Sequence, residues 1–285
     1  MDKTTALKMK DAARASWDAA ADGWDAYSPH IRAWLRGATD AMITLSGAKP
    51  GARVLDVAAG AGDQTLDLAE RVGVNGAVVA TDLSPALVAF ALTRLSRAGW
   101  HNVQCRIADA ENLDVEPGTF DAVVCRLGLM LFPDPLQALR EMHRALRPGG
   151  HVCTVVFSVP QRNPCVSILM ATAMRHAGVS SRDPFAAGSL FSLGQPRHLD
   201  GLFAQAGFVD VATTAVDAVF RLPSVDEYLG FVRHSAGPVL DILAGLDAGA
   251  ARAAWSDMRE QLDVFSTATG WEGPNELLIT VGRRA

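Results

Sequence analysis

RVLDVAAGAGDQT (residues 53–65) decides the fold of this chain. An apolar, β-branched run gives way to the small residues Ala58-Ala59-Gly60-Ala61-Gly62 and Asp63, and helical spacing follows over 64–72. Strand, small-residue turn and helix form the opening of a βαβ unit. Small residues let the backbone approach a ligand closely, and the helix that follows presents free N–H groups at its start. The loop lacks the G-x-G-x-x-G spacing of dinucleotide folds, so by itself it identifies no ligand.

The same alternation continues on the C-terminal side. AVVATDLS (77–84) reads as a second strand whose helix opens at Pro85, and VQCRIAD (103–109) as a third. FDAVVCRLG (120–128) is a fourth, followed by a helix over 136–146 that Arg147-Pro148-Gly149-Gly150 brings to a stop. HVCTVVFS (151–158) is a fifth. Five strands joined by short helical connections predict an α/β protein with a Rossmann-like, doubly wound sheet. Past Ser158 the pattern loosens: helical spacing over 166–177 and in HLDGLFAQAGF (198–208), a sixth strand over 209–220, helical character over 223–270, and a seventh strand in ELLITVGRR (276–284).

Upstream, residues 11–46 read as helical and carry Trp17, Trp24, Tyr27 and Trp34. A helix packed on the sheet accounts for them as well as a lid over the ligand crevice, which in such sheets lies beyond the carboxyl ends of the strands. The expected layout is a helical lid (1–46), a ligand-binding core (47–158), and helical cap insertions with the last two strands of a seven-stranded sheet (159–285).

Composition narrows the function classes. The chain has 285 residues, 49% of them hydrophobic and 20% charged, which suits a globular domain rather than a disordered one. A net charge of -5 with scattered Lys and Arg provides no footprint for a phosphate backbone. The N-terminal residues lack the apolar core of a secretory signal, and no apolar run is long enough to span a bilayer. The four cysteines form no CxxC pair, and Cys105, Cys125 and Cys153 sit in apolar runs as small core residues. A cytoplasmic protein without membrane or nucleic-acid partners is expected.

Acidic residues recur at the strand ends. Asp82 ends the second strand, where a carboxylate can accept hydrogen bonds from both hydroxyls of a ribose, and Asp109 ends the third, placed to reach a base amine. The fourth strand runs into Arg126-Leu127-Gly128-Leu129, whose backbone would line the crevice. Singly, each aspartate reads equally well as a loop or capping residue. Together with the glycine loop they define a nucleoside site.

VLDVAAGAGDQT (54–65), ATDLS (80–84), ADAENL (108–113), FDAVVCRLGLMLFPDP (120–135) and LREMHRALRPGGHV (139–152) resemble a class I S-adenosylmethionine-dependent methyltransferase, of the type found in ubiquinone and menaquinone biosynthesis. The family's loop carries three glycines, and this sequence has Ala58 at the first of those positions, followed by Gly60 and Gly62. The resemblance implies S-adenosyl-L-methionine as cofactor and methyl transfer to a small molecule. It sets Gly60 and Gly62 against the methionine part, Asp56 as a brace for that loop, and Asp82 and Leu83 at the ribose and adenine. Asp109 and Ala110 would hold the base, and the Arg126 carbonyl would take the ammonium.

Transfer from a sulfonium is an in-line displacement that discharges a cation, so alignment and a dry site supply most of the rate. A base is needed only for an acceptor that arrives protonated, with Tyr27, His30 and His234 as candidates, each also read as a surface or structural residue. The Arg126 side chain would either contact an anionic acceptor or pair with a helix carboxylate. Phe157-Ser158-Val159 supplies no acidic ligand, so no metal is expected. The alternatives are an enzyme of the same fold that uses the cofactor without methyl transfer, for example in cyclisation, then a nucleic-acid methyltransferase or an NAD(P)-linked oxidoreductase. Quinone, phenol, amine and thiol acceptors all remain open, as does the oligomeric state.

Overall fold

The computed structural model describes residues 3–180 and 183–285. Its strands are β1 (Arg53–Val57), β2 (Ala77–Asp82), β3 (Val103–Ile107), β4 (Phe120–Arg126), β5 (Leu146–Phe157), β6 (Phe208–Asp217), β7 (Phe220–Leu222), β8 (Ser266–Thr267), β9 (Gly270–Gly273) and β10 (Glu276–Arg284). The helices are α1 (Lys3–Ala26), α2 (Ser28–Leu45), α3 (Asp63–Val72), α4 (Pro85–Arg97), α5 (Pro135–Ala145), α6 (Pro164–His176), α7 (His198–Gln205), α8 (Val225–Ser235), α9 (Gly237–Leu243) and α10 (Ala248–Leu262).

Seven strands form one sheet in the order β3-β2-β1-β4-β5-β10-β6. The first five are parallel, and β10 runs antiparallel between β5 and β6. Val54, Leu55, Val57, Val123 and Val124 are buried, as expected of strands covered on both faces. Asp56 is the buried polar residue of β1. The order reverses beside β1, with β2 on one side and β4 on the other, which opens a crevice at their carboxyl ends.

Two expectations are corrected on the C-terminal side. The sixth strand ends at Asp217, and Phe220–Leu222 belongs to a separate three-stranded sheet in the order β7-β9-β8. That sheet takes β8 and the first residue of β9 from the stretch expected to be helical. Strands of two to four residues are too short to show a period, so the neighbouring helical spacing masked them. What fixes the small sheet is tertiary: Trp271 is buried, stacks on Tyr228 with ring centroids 4.3 Å apart, and donates from Nε1 to the Leu262 carbonyl at 2.8 Å.

α1 begins upstream of the expected start and crosses the carboxyl edge of the sheet, packed on α4 and α8. Close approach to α8 requires Gly23, where a Cβ would lie 1.9 Å from the His234 carbonyl oxygen. Asp18 accepts from the Ser84 hydroxyl and, at 3.3 Å, from the Ala86 amide, so α1 helps to cap α4. Arg94 of α4 reaches Asp25, Ser28 and Asp63, joining the α1–α2 corner to the start of α3. Among the described residues, no helix is long and apolar enough to cross a membrane.

Candidate active site

The crevice is closed into a cavity by α1. Lys10, Ala13, Trp17 and Trp24 lie on one helical face and form its roof. Its floor and walls come from the turns after β1, β2, β3 and β4, including Ala58, Gly60, Asp82, Leu83, Asp109, Ala110, Arg126 and Gly128.

Each wall residue is held in a definite way. Asp82 accepts from the Gly60 amide on Oδ2 and from the Ser84 amide on Oδ1, both at 2.9 Å. These bonds turn the glycine loop toward the end of β2, and the Ala59 amide donates to the Thr81 carbonyl at 3.0 Å to fix it further. Burial raises the Asp82 carboxyl above the usual range, against the opposing pull of the amides of Ser84, Gly60 and Leu83. Gly60 takes a φ of 59°, and a Cβ there would stand 3.3 Å from the Trp24 indole nitrogen. Only a bare backbone leaves the space between loop and roof open.

Asp109 accepts from the Glu111 amide at 2.9 Å on one oxygen and from Lys10 Nζ at 2.7 Å on the other. Lys10 also pairs with Glu111. Burial works against the ammonium, yet the two carboxylates hold its pKa above the usual lysine value. Lys10 and Glu111 therefore latch the roof to the wall. Sequence reasoning missed them, although Lys10, Trp17 and Trp24 repeat at heptad spacing and Glu111 sits inside the quoted ADAENL.

Asp56 and Gly62 lie behind the cavity rather than in its lining. Asp56 accepts from Gln64 Nε2 and Thr65 Oγ1, each at 2.7 Å, and so braces the first turn of α3 directly. Burial pushes its carboxyl up to about 6. Gly62 has φ 86°, and a Cβ there would meet Ala91 of α4 at 3.0 Å, so it serves the packing of α3 on α4.

Arg126 ends β4, lines the cavity and is 7% exposed. Its Nη1 donates to Thr39 Oγ1 of α2 at 2.8 Å, and among the described residues no carboxylate lies within ion-pairing distance of it. The expected pairing with a helix carboxylate is absent. Burial lowers the guanidinium's pKa, opposed by the fields of Asp63, Asp56 and Asp67.

Tyr27, His30 and His234 do not line the cavity. They gather where the α1–α2 corner meets α8, with Tyr27 stacked on His234 at 6.2 Å and tilted against His30 at 5.9 Å. His30 and His234 are exposed, and His234 Nδ1 bonds the Gly230 carbonyl oxygen at 2.7 Å. The titratable side chains that do line the cavity are Lys10, Asp82, Asp109, Glu111 and Arg126. Among the described residues, no cluster of His, Cys, Asp and Glu has the make-up of a metal site.

The sequence profile of the ubiE/COQ5 methyltransferase family matches residues 30–175, just over half of the chain. The chain belongs to this family. The match begins in α2, runs through β1–β5 and ends in α6, so it takes in every strand end that walls the cavity. A family member from Teredinibacter turnerae, named ubiquinone/menaquinone biosynthesis C-methyltransferase UbiE, is 40% identical over 122 residues, covering 42% of this chain and 49% of that protein. The chain spans about half the length of the curated relatives it matches.

The fold is shared more widely than the sequence. The YcgJ protein of Bacillus subtilis superposes with a TM-score of 0.59 at 18% identity, over 88% of this chain and 99% of that one. Phosphoethanolamine N-methyltransferase 2 of Haemonchus contortus, solved in complex with S-adenosyl-L-methionine, gives 0.57 at 18% identity over 92% and 57%. At such identities the likeness is one of fold.

Proposed function

We propose that this chain is an S-adenosyl-L-methionine-dependent methyltransferase acting on a small organic molecule. The observation that carries this is one cavity in which Gly60, Asp82, Asp109 and Arg126 converge from four strand ends, in a chain of the ubiE/COQ5 methyltransferase family. Asp82 fits a ribose: both its oxygens are already aligned by backbone amides, and each retains capacity for a hydroxyl donor. Asp109 and Ala110 fit the base and Leu83 its flank, while Ala58, Gly60 and the β4 end take the amino-acid tail. The cradle over Gly60, which a Cβ would narrow against Trp24, suits an extended ligand passing beneath the roof.

When bound, the cofactor supplies a methyl group on a sulfonium. The chain's own task is alignment and exclusion of water. Trp17, Trp24, Leu35, Leu131 and Phe132 give the cavity an apolar lining that favours discharge of a cation. No histidine lies in that lining among the described residues, and Tyr27, His30 and His234 stand outside it, which supports a reaction without a dedicated base.

We divide the chain by role into a lid (1–46), a cofactor core (47–158) and a cap with the last two strands (159–285). A cavity roofed by one helix favours a small acceptor over nucleic acid, as does the net charge of -5. Four free cysteines, three of them buried, support a cytoplasmic setting.

The test is to supply methyl-labelled S-adenosylmethionine with a panel of phenolic, quinol, amine and thiol acceptors. Label should pass to at least one, with S-adenosylhomocysteine formed in equal amount. If the cofactor binds but is not demethylated by any acceptor, including metabolite extracts, the cofactor-assisted reaction without methyl transfer takes the place of this function.

A further inference from the structure

We infer that the Arg126 guanidinium holds the α-carboxylate of the bound cofactor, making Arg126 the positioning residue for the amino-acid end of the site. The inference rests on the cofactor assignment above.

A guanidinium this deeply buried is costly unless its N–H groups and its charge are matched. Among the described residues the Arg126 side chain has one hydrogen bond, to Thr39, which is neutral. The three carboxylates whose fields reach it have other partners: Asp63 is bound by Arg94 and Ser28, Asp56 by Gln64 and Thr65, and Asp67 by Arg32. Asp63 Oδ2 has no hydrogen-bond partner among the described residues, yet it does not lie within pairing distance of Arg126. The rest of the guanidinium has no hydrogen-bond partner among the described residues, and Arg126 lines the cavity together with Leu35, Gly60, Gln64 and Gly128.

That region already favours an anion. The N-terminus of α3, ten residues long, follows directly on the glycine loop, and its free amides and dipole add to the charge of Arg126. A planar fork selects a carboxylate in particular, through paired N–H···O bonds. The cofactor carries one carboxylate, on its methionine part, the part expected beside Gly60 and the Arg126 carbonyl. An acidic acceptor offers the same chemistry from a second source, and the two sources predict different binding results.

The experiment is calorimetric titration of the wild type, Arg126→Met and Arg126→Lys with S-adenosylhomocysteine and with 5′-methylthioadenosine, which keeps the nucleoside and sulfur but lacks the amino-acid end. Arg126→Met should weaken S-adenosylhomocysteine by about tenfold to a hundredfold, as for loss of a charge-assisted pair, and change 5′-methylthioadenosine by less than about twofold. Arg126→Lys keeps the charge and loses the fork, so it should fall between, and it serves if the methionine variant does not fold. Unchanged S-adenosylhomocysteine affinity in both variants would overturn the inference and assign the cation to the acceptor. Equal losses for both ligands would also overturn it, leaving Arg126 as a counter-charge for Asp63 that shapes the whole pocket. A wild type that binds neither ligand would instead sink the cofactor assignment.

Discussion

Ala58 stands at the first glycine position of the family's loop, and it adopts φ 55°, in the left-handed region. For a residue with a Cβ that conformation costs roughly 1–2 kcal/mol. The neighbouring loop explains why it is tolerated: a Cβ on Gly128 would come within 2.5 Å of the Ala58 methyl, so that methyl occupies space Gly128 leaves free. Behind the same loop, Asp56 makes a prediction about pH. Its carboxyl titrates near 3.8 when unfolded and is raised by burial to about 6 in the fold. Between those values the native state holds a proton that the unfolded chain has released, so stability must fall as pH rises, by at most about 1.4 kcal/mol per pH unit. Asp56→Asn cannot ionise. In chemical denaturation, the wild type should lose stability relative to that variant between pH ~4 and ~6, whatever the fixed offset between them. A wild type that gains on the variant over that window would show that its hydrogen bonds to Gln64 and Thr65 outweigh its burial.

Among the elements, α1 is both roof of the cavity and tie between the helices around it. Its tie is Arg94, which joins Asp25, Ser28 and the buried Asp63. Arg94→Ala would leave the Asp63 charge buried without its cation, and such losses run to about 3–5 kcal/mol. A fall of under about 0.5 kcal/mol in denaturant unfolding would mean that the cluster behaves as an exposed ion pair and does not secure the roof. β1, β2, β4 and β5 were legible in the sequence because both their faces are buried, which writes them as apolar runs such as AVVAT and VCTVVF, whereas the edge strand β3, VQCRI, is largely exposed and was legible from its place in the alternation. Asp82 and Arg126 were legible for the same reason, since each ends such a run, and Asp109 because it closely follows the third strand. β7, β8 and β9 were not, being too short for a period. Lys10 and Glu111 escaped because their pairing depends on where α1 packs, which no local pattern encodes. Tyr27, His30 and His234 were singled out for their chemistry rather than their position, and the fold gathers them elsewhere.

At the scale of the molecule, the fold does not choose the reaction. Structures that superpose on nearly the whole chain share 18% of its sequence, and a fold can serve many chemistries. The site makes the choice, and its components are consistent with one another: a loop without the G-x-G-x-x-G spacing, the Asp82 carboxylate set by two amides, Asp109 after the next strand, and a roof that carries Trp17 and Trp24. On the function proposed above, the cavity should accept S-adenosylmethionine and not a dinucleotide. The most direct measurement is equilibrium titration of the purified chain with S-adenosylmethionine, S-adenosylhomocysteine and NAD, repeated on Asp82→Ala. Both sulfur nucleosides should bind at one shared site, and Asp82→Ala should weaken each by about 2 kcal/mol, as for loss of charge-assisted bonds to hydroxyls. NAD should not compete. Binding of NAD, or affinity for S-adenosylmethionine that does not change in Asp82→Ala, would contradict the account.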